Sequence, residues 1–232
     1  MFRFKHFAID DERCAMKVGT DGVLLGAWAD VESDTQILDL GTGSGIVALM
    51  VAQRNDKARI VALDIDSDAV AVARTNADNT PWRDRITTIC ADVAEYNTDT
   101  KYDHIISNPP YFTESTHSPT LKRDMARSVL SLPFEVLVSS AERLLRRGGR
   151  LTVILPTNSA SLFRRVAFER LWLRRIATVT TVEGEVPKRE LMEFELTDTP
   201  LMPRSEELLI QYRGGDHSEK YRALTKDFYL NF

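Results

Sequence analysis

Asp39-Leu40-Gly41-Thr42-Gly43-Ser44-Gly45, closing the apolar run that begins at Gln36, is the stretch on which the fold turns. A short apolar strand that ends in three alternate glycines and enters a helical pattern (Ile46, Leu49, Met50) makes a strand–turn–helix unit. Glycines at Gly41, Gly43 and Gly45 let the backbone turn sharply and approach a ligand with no Cβ in the way. The spacing is G-x-G-x-G. It is not the G-x-G-x-x-G of dinucleotide binders, whose third glycine would fall on Ile46, and no Gly-Lys-Ser/Thr follows to make a P-loop.

Working outward, strand-like and helix-like segments alternate, the pattern of a parallel sheet covered on both faces. Strands are expected at residues 36–40, 59–63, 86–90, 102–107 and 150–155, with further candidates at 172–182, 191–196 and 207–212. Helices are expected at 46–54, at 67–79 with Ser67 as N-cap, at 134–146 stopped by Gly148-Gly149, and at 159–170. The fold class is therefore α/β, Rossmann-like, with a mostly parallel sheet of seven to eight strands and helices on both faces. No repeat or linker divides the chain, so one domain is expected. Residues 34–232 are expected to form the core, with the polar stretch 112–131 as an active-site loop, and residues 1–33 an N-terminal extension.

Ligands of such folds sit at the carboxyl ends of the strands. The second strand ends in Asp64, nineteen residues beyond Gly45, where a carboxylate can take both hydroxyls of a ribose. Asp92 follows the third strand beside apolar Val93 and is placed to accept from an adenine amino group. Taken singly, Asp64 could cap a helix and Asp92 could be a turn residue. Together with Asp39 and the glycines they fit a nucleoside without a pyrophosphate, for which S-adenosylmethionine is the candidate. The fourth strand ends in Asn108-Pro109-Pro110-Tyr111. A planar amino nitrogen is a poor nucleophile because its lone pair is delocalised. The Asn108 oxygen and a proline carbonyl can accept its two hydrogens and pull it towards tetrahedral geometry. Pro109 has no competing N–H, and Pro110 helps hold the carbonyl in one direction. Tyr111 can stack on the flat group or merely pack the loop.

Composition bounds the rest. In 232 residues, 43% hydrophobic and 28% charged, a substantial core can form without a membrane span, and no signal-peptide pattern opens the chain. A cytoplasmic protein is expected, with Cys14 and Cys90 reduced. The four histidines are scattered without partners at ligand spacing, so no metal is expected. The net charge of −4 does not advertise nucleic-acid binding, but residues 141–175 hold nine Arg, no Lys and two Glu. Arg146, Arg147, Arg164 and Arg165, with Arg123 in the polar loop, could contact a phosphate backbone; the helical cations could equally be solvated helix ends.

With these residues placed, the sequence resembles a class I S-adenosylmethionine-dependent methyltransferase. More narrowly, it resembles the bacterial tRNA1(Val) (adenine-37-N6)-methyltransferases. The likeness extends over essentially the whole chain and includes the segment from Arg13 to Trp28 and Asp227-Phe228-Tyr229-Leu230. It implies that Thr20 and Asp21 lie near the methionine end of the cofactor, with Lys17 among the cofactor-binding residues, so that the extension 1–33 forms part of the cofactor site. Asp21 read alone is a helix N-cap. The likeness also implies a valine tRNA as partner and adenine N6 as the methylated atom. Other planar amines remain chemical rivals. Glutamine methyltransferases typically carry a sizeable helical domain in front, and only about forty residues precede Gly41 here. Guanine-N2 rRNA methyltransferases often carry a duplicated domain. A non-catalytic nucleotide-binding module would have no need of Asn108 and Tyr111.

Overall fold

The structure, a computed structural model, describes residues 1–12, 14, 17–110 and 132–231. Tyr111, Arg123 and the expected loop 112–131 lie outside these residues. The chain opens with a two-stranded ribbon, β1 (Phe2–Arg3) and β2 (Ala8–Ile9), followed by helix α1 (Thr20–Trp28). The alternating core runs β3 (Gln36–Leu40), α2 (Ile46–Arg54), β4 (Arg59–Asp64), α3 (Ser67–Asp78), β5 (Ile86–Cys90) and β6 (Tyr102–Ser107). It continues through α4 (Phe134–Leu144), β7 (Leu145–Pro156), α5 (Thr157–Ala167), β8 (Trp172–Val182), β9 (Arg189–Glu195), β10 (Arg204–Gln211) and α6 (Glu219–Thr225).

Eight strands form one sheet in the order β10-β8-β9-β7-β6-β3-β4-β5. All pairs are parallel except those made by β9, which runs antiparallel to both β7 and β8. The strand order reverses beside β3, the switch point at which doubly wound sheets hold ligands. One buried cluster packs α1, α2 and α6 against one face of the sheet, and another packs α4 and α5 against the other. Parallel strands buried on both faces read as continuous apolar runs, which is why Ile37, Leu38 and Leu40 and then Ile105 and Ile106 stand out in sequence. Among the described residues no helix is long and apolar enough to cross a membrane.

Three local expectations need correction. Helix α4 ends at Leu144, not at Gly148-Gly149, and the chain passes directly into β7. The register between β6 and β7 jumps from Tyr102↔Leu145 to His104↔Arg150, so residues 146–149 bulge out of the ladder. Gly148 supplies the left-handed φ of 74° that this bulge requires, and a Cβ on Gly149 would lie 2.8 Å from the Arg146 carbonyl oxygen. The glycines serve this bulge and not a helix cap. Helix α3 is capped by the Asp66 side chain, which accepts from the Asp68 N–H, and not by Ser67. Helix α1 is preceded by Gly19 with no side-chain cap, so Asp21 lies in its first turn, where a carboxylate still suits the helix dipole.

At the edge of the sheet opposite the strand ends, Asp103 fastens three elements. Its Oδ2 accepts from the Thr35 N–H, the Thr35 hydroxyl and the Gln36 N–H, and its Oδ1 from Arg146 Nε. Burial pushes the carboxyl up, but these donors, Arg146 first, outweigh it and hold the group well below the usual carboxylate range. Gly149→Ala is expected to destabilise the fold by about 1–3 kcal/mol, because the two nearest atoms it meets, the Arg146 and Tyr102 carbonyl oxygens, are backbone and cannot step aside. Urea unfolding checks this, and a midpoint equal to the parent's would show that the bulge tolerates a side chain.

Candidate active site

The glycine loop takes its shape from two carboxylates. Asp39 Oδ2 accepts from the Thr42 hydroxyl at 2.6 Å and from the Ala48 N–H at 3.0 Å, which ties the loop back to the strand and to the first turn of α2. Asp64 Oδ2 accepts from the Gly43 N–H at 2.8 Å, and its Oδ1 from the Asp66 N–H at 3.0 Å. Gly41 (φ 73°) and Gly43 (φ 55°) are left-handed, and a Cβ on either would meet nothing within 4 Å. Both face open space. Gly45 (φ 84°) plays another part: a Cβ there would lie only 3.3 Å from the Ala73 Cβ of α3, so its absence permits close packing of loop and helix.

Two cavities meet over this loop. The smaller, about 280 Å³, runs along the ends of β4, β5 and β6, past Gly41, Gly43, Asp64, Asp92, Asn108, Pro109 and Pro110. The larger, about 560 Å³, lies on the other side, against Lys17, Thr20, Asp21, Asp39 and the far ends of β8 and β10. Gly41, Gly43 and Asn108 belong to the walls of both. Asn108 Oδ1 is buried and has no hydrogen-bond partner among the described residues. Such an acceptor costs roughly 1–3 kcal/mol to leave unsatisfied, so its placement at the meeting point calls for a donor from a ligand.

Residues 19–165 match the family described as "Methyltransferase small domain". A tRNA1(Val) (adenine(37)-N6)-methyltransferase of Bacteroides thetaiotaomicron is 44% identical over 232 residues, covering 99% of this chain and 97% of its own. The enzyme of the same description from Phocaeicola vulgatus is 46% identical over 231 residues, with the same coverage. The chain belongs to the tRNA1(Val) (adenine(37)-N6)-methyltransferase family. Solved methyltransferases share its fold. A predicted O-methyltransferase from Agrobacterium tumefaciens superposes with a TM-score of 0.71 at 23% identity, over 90% of this chain and 96% of that one. An N-methyltransferase from Bradyrhizobium japonicum, solved with S-adenosyl-L-homocysteine, gives a TM-score of 0.55 at 15% identity, over 75% and 83%.

S-adenosylmethionine is the cofactor of this methyltransferase family, and the residues present fit it. The open Cβ positions at Gly41 and Gly43 leave backbone accessible to a ligand, Asp64 is oriented beside them, and Asp92 Oδ1 is fixed by the Ala94 N–H at 2.8 Å. The sequence reasoning overlooked Ile65, an unusually exposed isoleucine directly after Asp64 that forms an apolar wall of the smaller cavity. An apolar residue following an acidic strand end is the signal that could have found it. Cys14, buried on the same wall, carried no such signal.

The Arg-rich segment is not brought to these cavities. Arg146 and Arg147 lie at the beginning of β7, at the opposite edge of the sheet, paired with Asp103 and Asp198. Arg164 and Arg165 occupy the last turn of α5, with Arg164 bound to Glu190. Seven of the nine arginines hold carboxylates, and Arg143 donates to the carbonyls of Tyr96 and Val93.

Burial pushes the Asp39 carboxyl up to about 7, against the lowering effect of the Thr42 and Ala48 donors. Between the ordinary carboxylate range and about 7 the folded chain therefore keeps a proton that the unfolded chain releases. The stability this group contributes is complete at acid pH and is lost as pH rises through about 7. Each tenfold change in acidity is equivalent to about 1.4 kcal/mol, so the loss across this window amounts to a few kcal/mol. Thermal melts of the parent and of Asp39→Asn from pH 5 to 8 are expected to diverge in slope, with the variant the flatter; parallel curves would contradict the raised titration.

Proposed function

We propose that this protein methylates N6 of adenine 37 in a valine tRNA, using S-adenosylmethionine. One observation carries the chemistry: the buried Asn108 Oδ1, unpartnered among the described residues, on the wall common to two cavities. A two-substrate transfer needs two sites that meet where the group passes, and Asn108 stands at that junction. The tRNA, the base and its position are supported by the names of relatives between 40% and 46% identical over nearly the whole chain.

S-adenosylmethionine, when bound, supplies a methyl group made electrophilic by its sulfonium. Asp64 would take the ribose hydroxyls, Asp92 the adenine amino group, and Lys17, Thr20 and Asp21 would flank the methionine end, so that the segment before residue 34 completes the site. The target adenine leaves its stack to reach the junction, at a cost smaller in a loop than in a duplex. Asn108 Oδ1 and the Pro109 carbonyl accept the two amine hydrogens, draw the nitrogen lone pair out of conjugation and aim it. Orientation supplies most of the rate. Tyr111 would return roughly 1–3 kcal/mol by stacking on the base, with residues 112–131 as the loop around it. The proton shed by the methylated amine passes to water, so no strong base is required.

Mass spectrometry of digested tRNA after reaction tests this reading directly. N6-methyladenine at position 37 is the expected product; methylated guanine, or a methylated protein glutamine in place of RNA, would replace it. Asn108→Ala is expected to lower kcat by about 10²–10³ with cofactor affinity nearly intact, the scale seen when one preorganised polar group is removed from a reacting centre. Asp64→Ala should do the reverse, weakening cofactor binding about 10- to 100-fold through loss of charge-assisted hydrogen bonds. Calorimetric titration alongside single-turnover kinetics separates the two, and equal loss of both quantities in Asn108→Ala would remove its assigned role.

A further inference from the structure

The larger cavity continues away from Asn108 along a wall that the cofactor and transfer residues do not occupy. It is bounded there by the ends of β8 and β10, including Thr181 and Gln211, and by Lys188 and Arg189. These two cations reach the working edge because β9 runs against its neighbours: Arg189 pairs with Pro156 at the end of β7 and with Val179 near the end of β8. The antiparallel strand thus starts where the parallel strands finish. The Arg189 guanidinium is held in one orientation, with Nε donating to Asp21 Oδ2 at 2.8 Å and Nη1 to the Lys188 carbonyl at 3.0 Å. Lys188 Nζ reaches Glu185 at 2.8 Å in an exposed pair of the kind that water and salt weaken.

We propose that Lys188 and Arg189 grip the phosphate backbone of the RNA strand beside the base presented to Asn108, which makes the β8–β9 turn a substrate-binding element. The proposal deepens the RNA reading given above and rests on it. Charge placement favours it. Lys188 and Arg189 are ion-paired like most arginines of residues 141–175, so position distinguishes them: Arg146, Arg147, Arg174 and Arg175 sit where β7 and β8 begin, at the far edge. Among the described residues, Lys188 and Arg189, with Lys17 across the cavity, are cations that a polyanion entering at the strand ends would meet. Volume favours it too. At about 560 Å³ the larger cavity is twice the smaller and falls within the range of sites that enclose a small molecule, which leaves room beyond the methionine end of the cofactor. The turn also lies outside residues 19–165, the span matched by the general methyltransferase description, as a device for a particular substrate would.

The test uses the full chain and an unmodified valine tRNA transcript, with methyl transfer and tRNA binding measured across a salt series. Lys188→Ala/Arg189→Ala is expected to raise the KM for tRNA at least tenfold, with kcat within about threefold and any loss of cofactor affinity, through the Asp21 that Arg189 holds, far smaller than the change in KM. The slope of log affinity against log salt should become shallower by about 1.4, or about 0.7 for each single-strand phosphate contact removed. Arg189→Lys, which keeps a cation, should recover most of the affinity. If the double variant folds poorly, Lys188→Ala alone touches only an exposed pair and should change the slope by about 0.7. Unchanged KM and slope in the variants, with a parent that methylates the transcript, would overturn this proposal and leave the tRNA reading standing. A cofactor affinity that falls as far as KM rises would also overturn it. A parent that transfers no methyl group to the transcript would overturn both.

Discussion

A single buried carboxyl oxygen, Asp39 Oδ2, governs the shape of the working edge. It gathers the Thr42 hydroxyl and the Ala48 N–H, and so bends the chain off β3 and starts α2 at a fixed angle. From that bend follow the left-handed glycines, the reach of the Gly43 N–H to Asp64, and the gap between loop and strand ends in which both cavities open. The group is expensive to bury, as its raised titration shows, and the two donors limit that cost. Asp64 repeats the device one strand over, where burial raises its carboxyl and the Asp66 and Gly43 N–H groups oppose the rise.

Much of this architecture was legible because parallel strands buried on both faces are short apolar runs with polar ends. The strands at Gln36–Leu40, Ile86–Cys90, Tyr102–Ser107 and Trp172–Val182 and the helix Ile46–Arg54 fall where periodicity and punctuation place them. Gly41, Gly43, Asp64, Asp92 and Asn108 converge because each occupies a strand end, and strand ends share an edge. What stayed hidden depends on contacts distant in sequence. Gly148-Gly149 looks like a helix stop until Tyr102 is known to lie against it. The partners of the arginine cluster could not be read from its neighbours in sequence; Asp34, which binds Arg150, is 116 residues away. The two-residue strands of the N-terminal ribbon are too short to carry any period.

Beneath the sheet's far edge, buried polar side chains are chained together. His104 lies between Asp34 at 2.9 Å and Thr152 at 2.7 Å, and Arg150 binds the other Asp34 oxygen. Glu193, fully buried, receives Arg174 and Arg175, and the Arg175 guanidinium lies 3.8 Å from the centre of the Trp28 ring. Buried ion-paired networks of this kind add little net stability over apolar packing, yet removing one member strands a charge. They fasten β3, β6, β7, β8 and β9 together at the end remote from chemistry, which leaves the opposite edge free to be built of loops.

The oxygen of Asn108, unpaired among the described residues, carries a consequence for turnover if it accepts the amine as proposed. An acceptor that awaits an amine hydrogen favours the unreacted base, which brings two, over the methylated one, which brings a single hydrogen and a methyl group that fills the space of the other. Part of the desolvation cost that the empty protein carries at this atom therefore returns as soon as the reaction is over. In the proposed role, the same oxygen that would draw the substrate in would weaken the hold on what it has become.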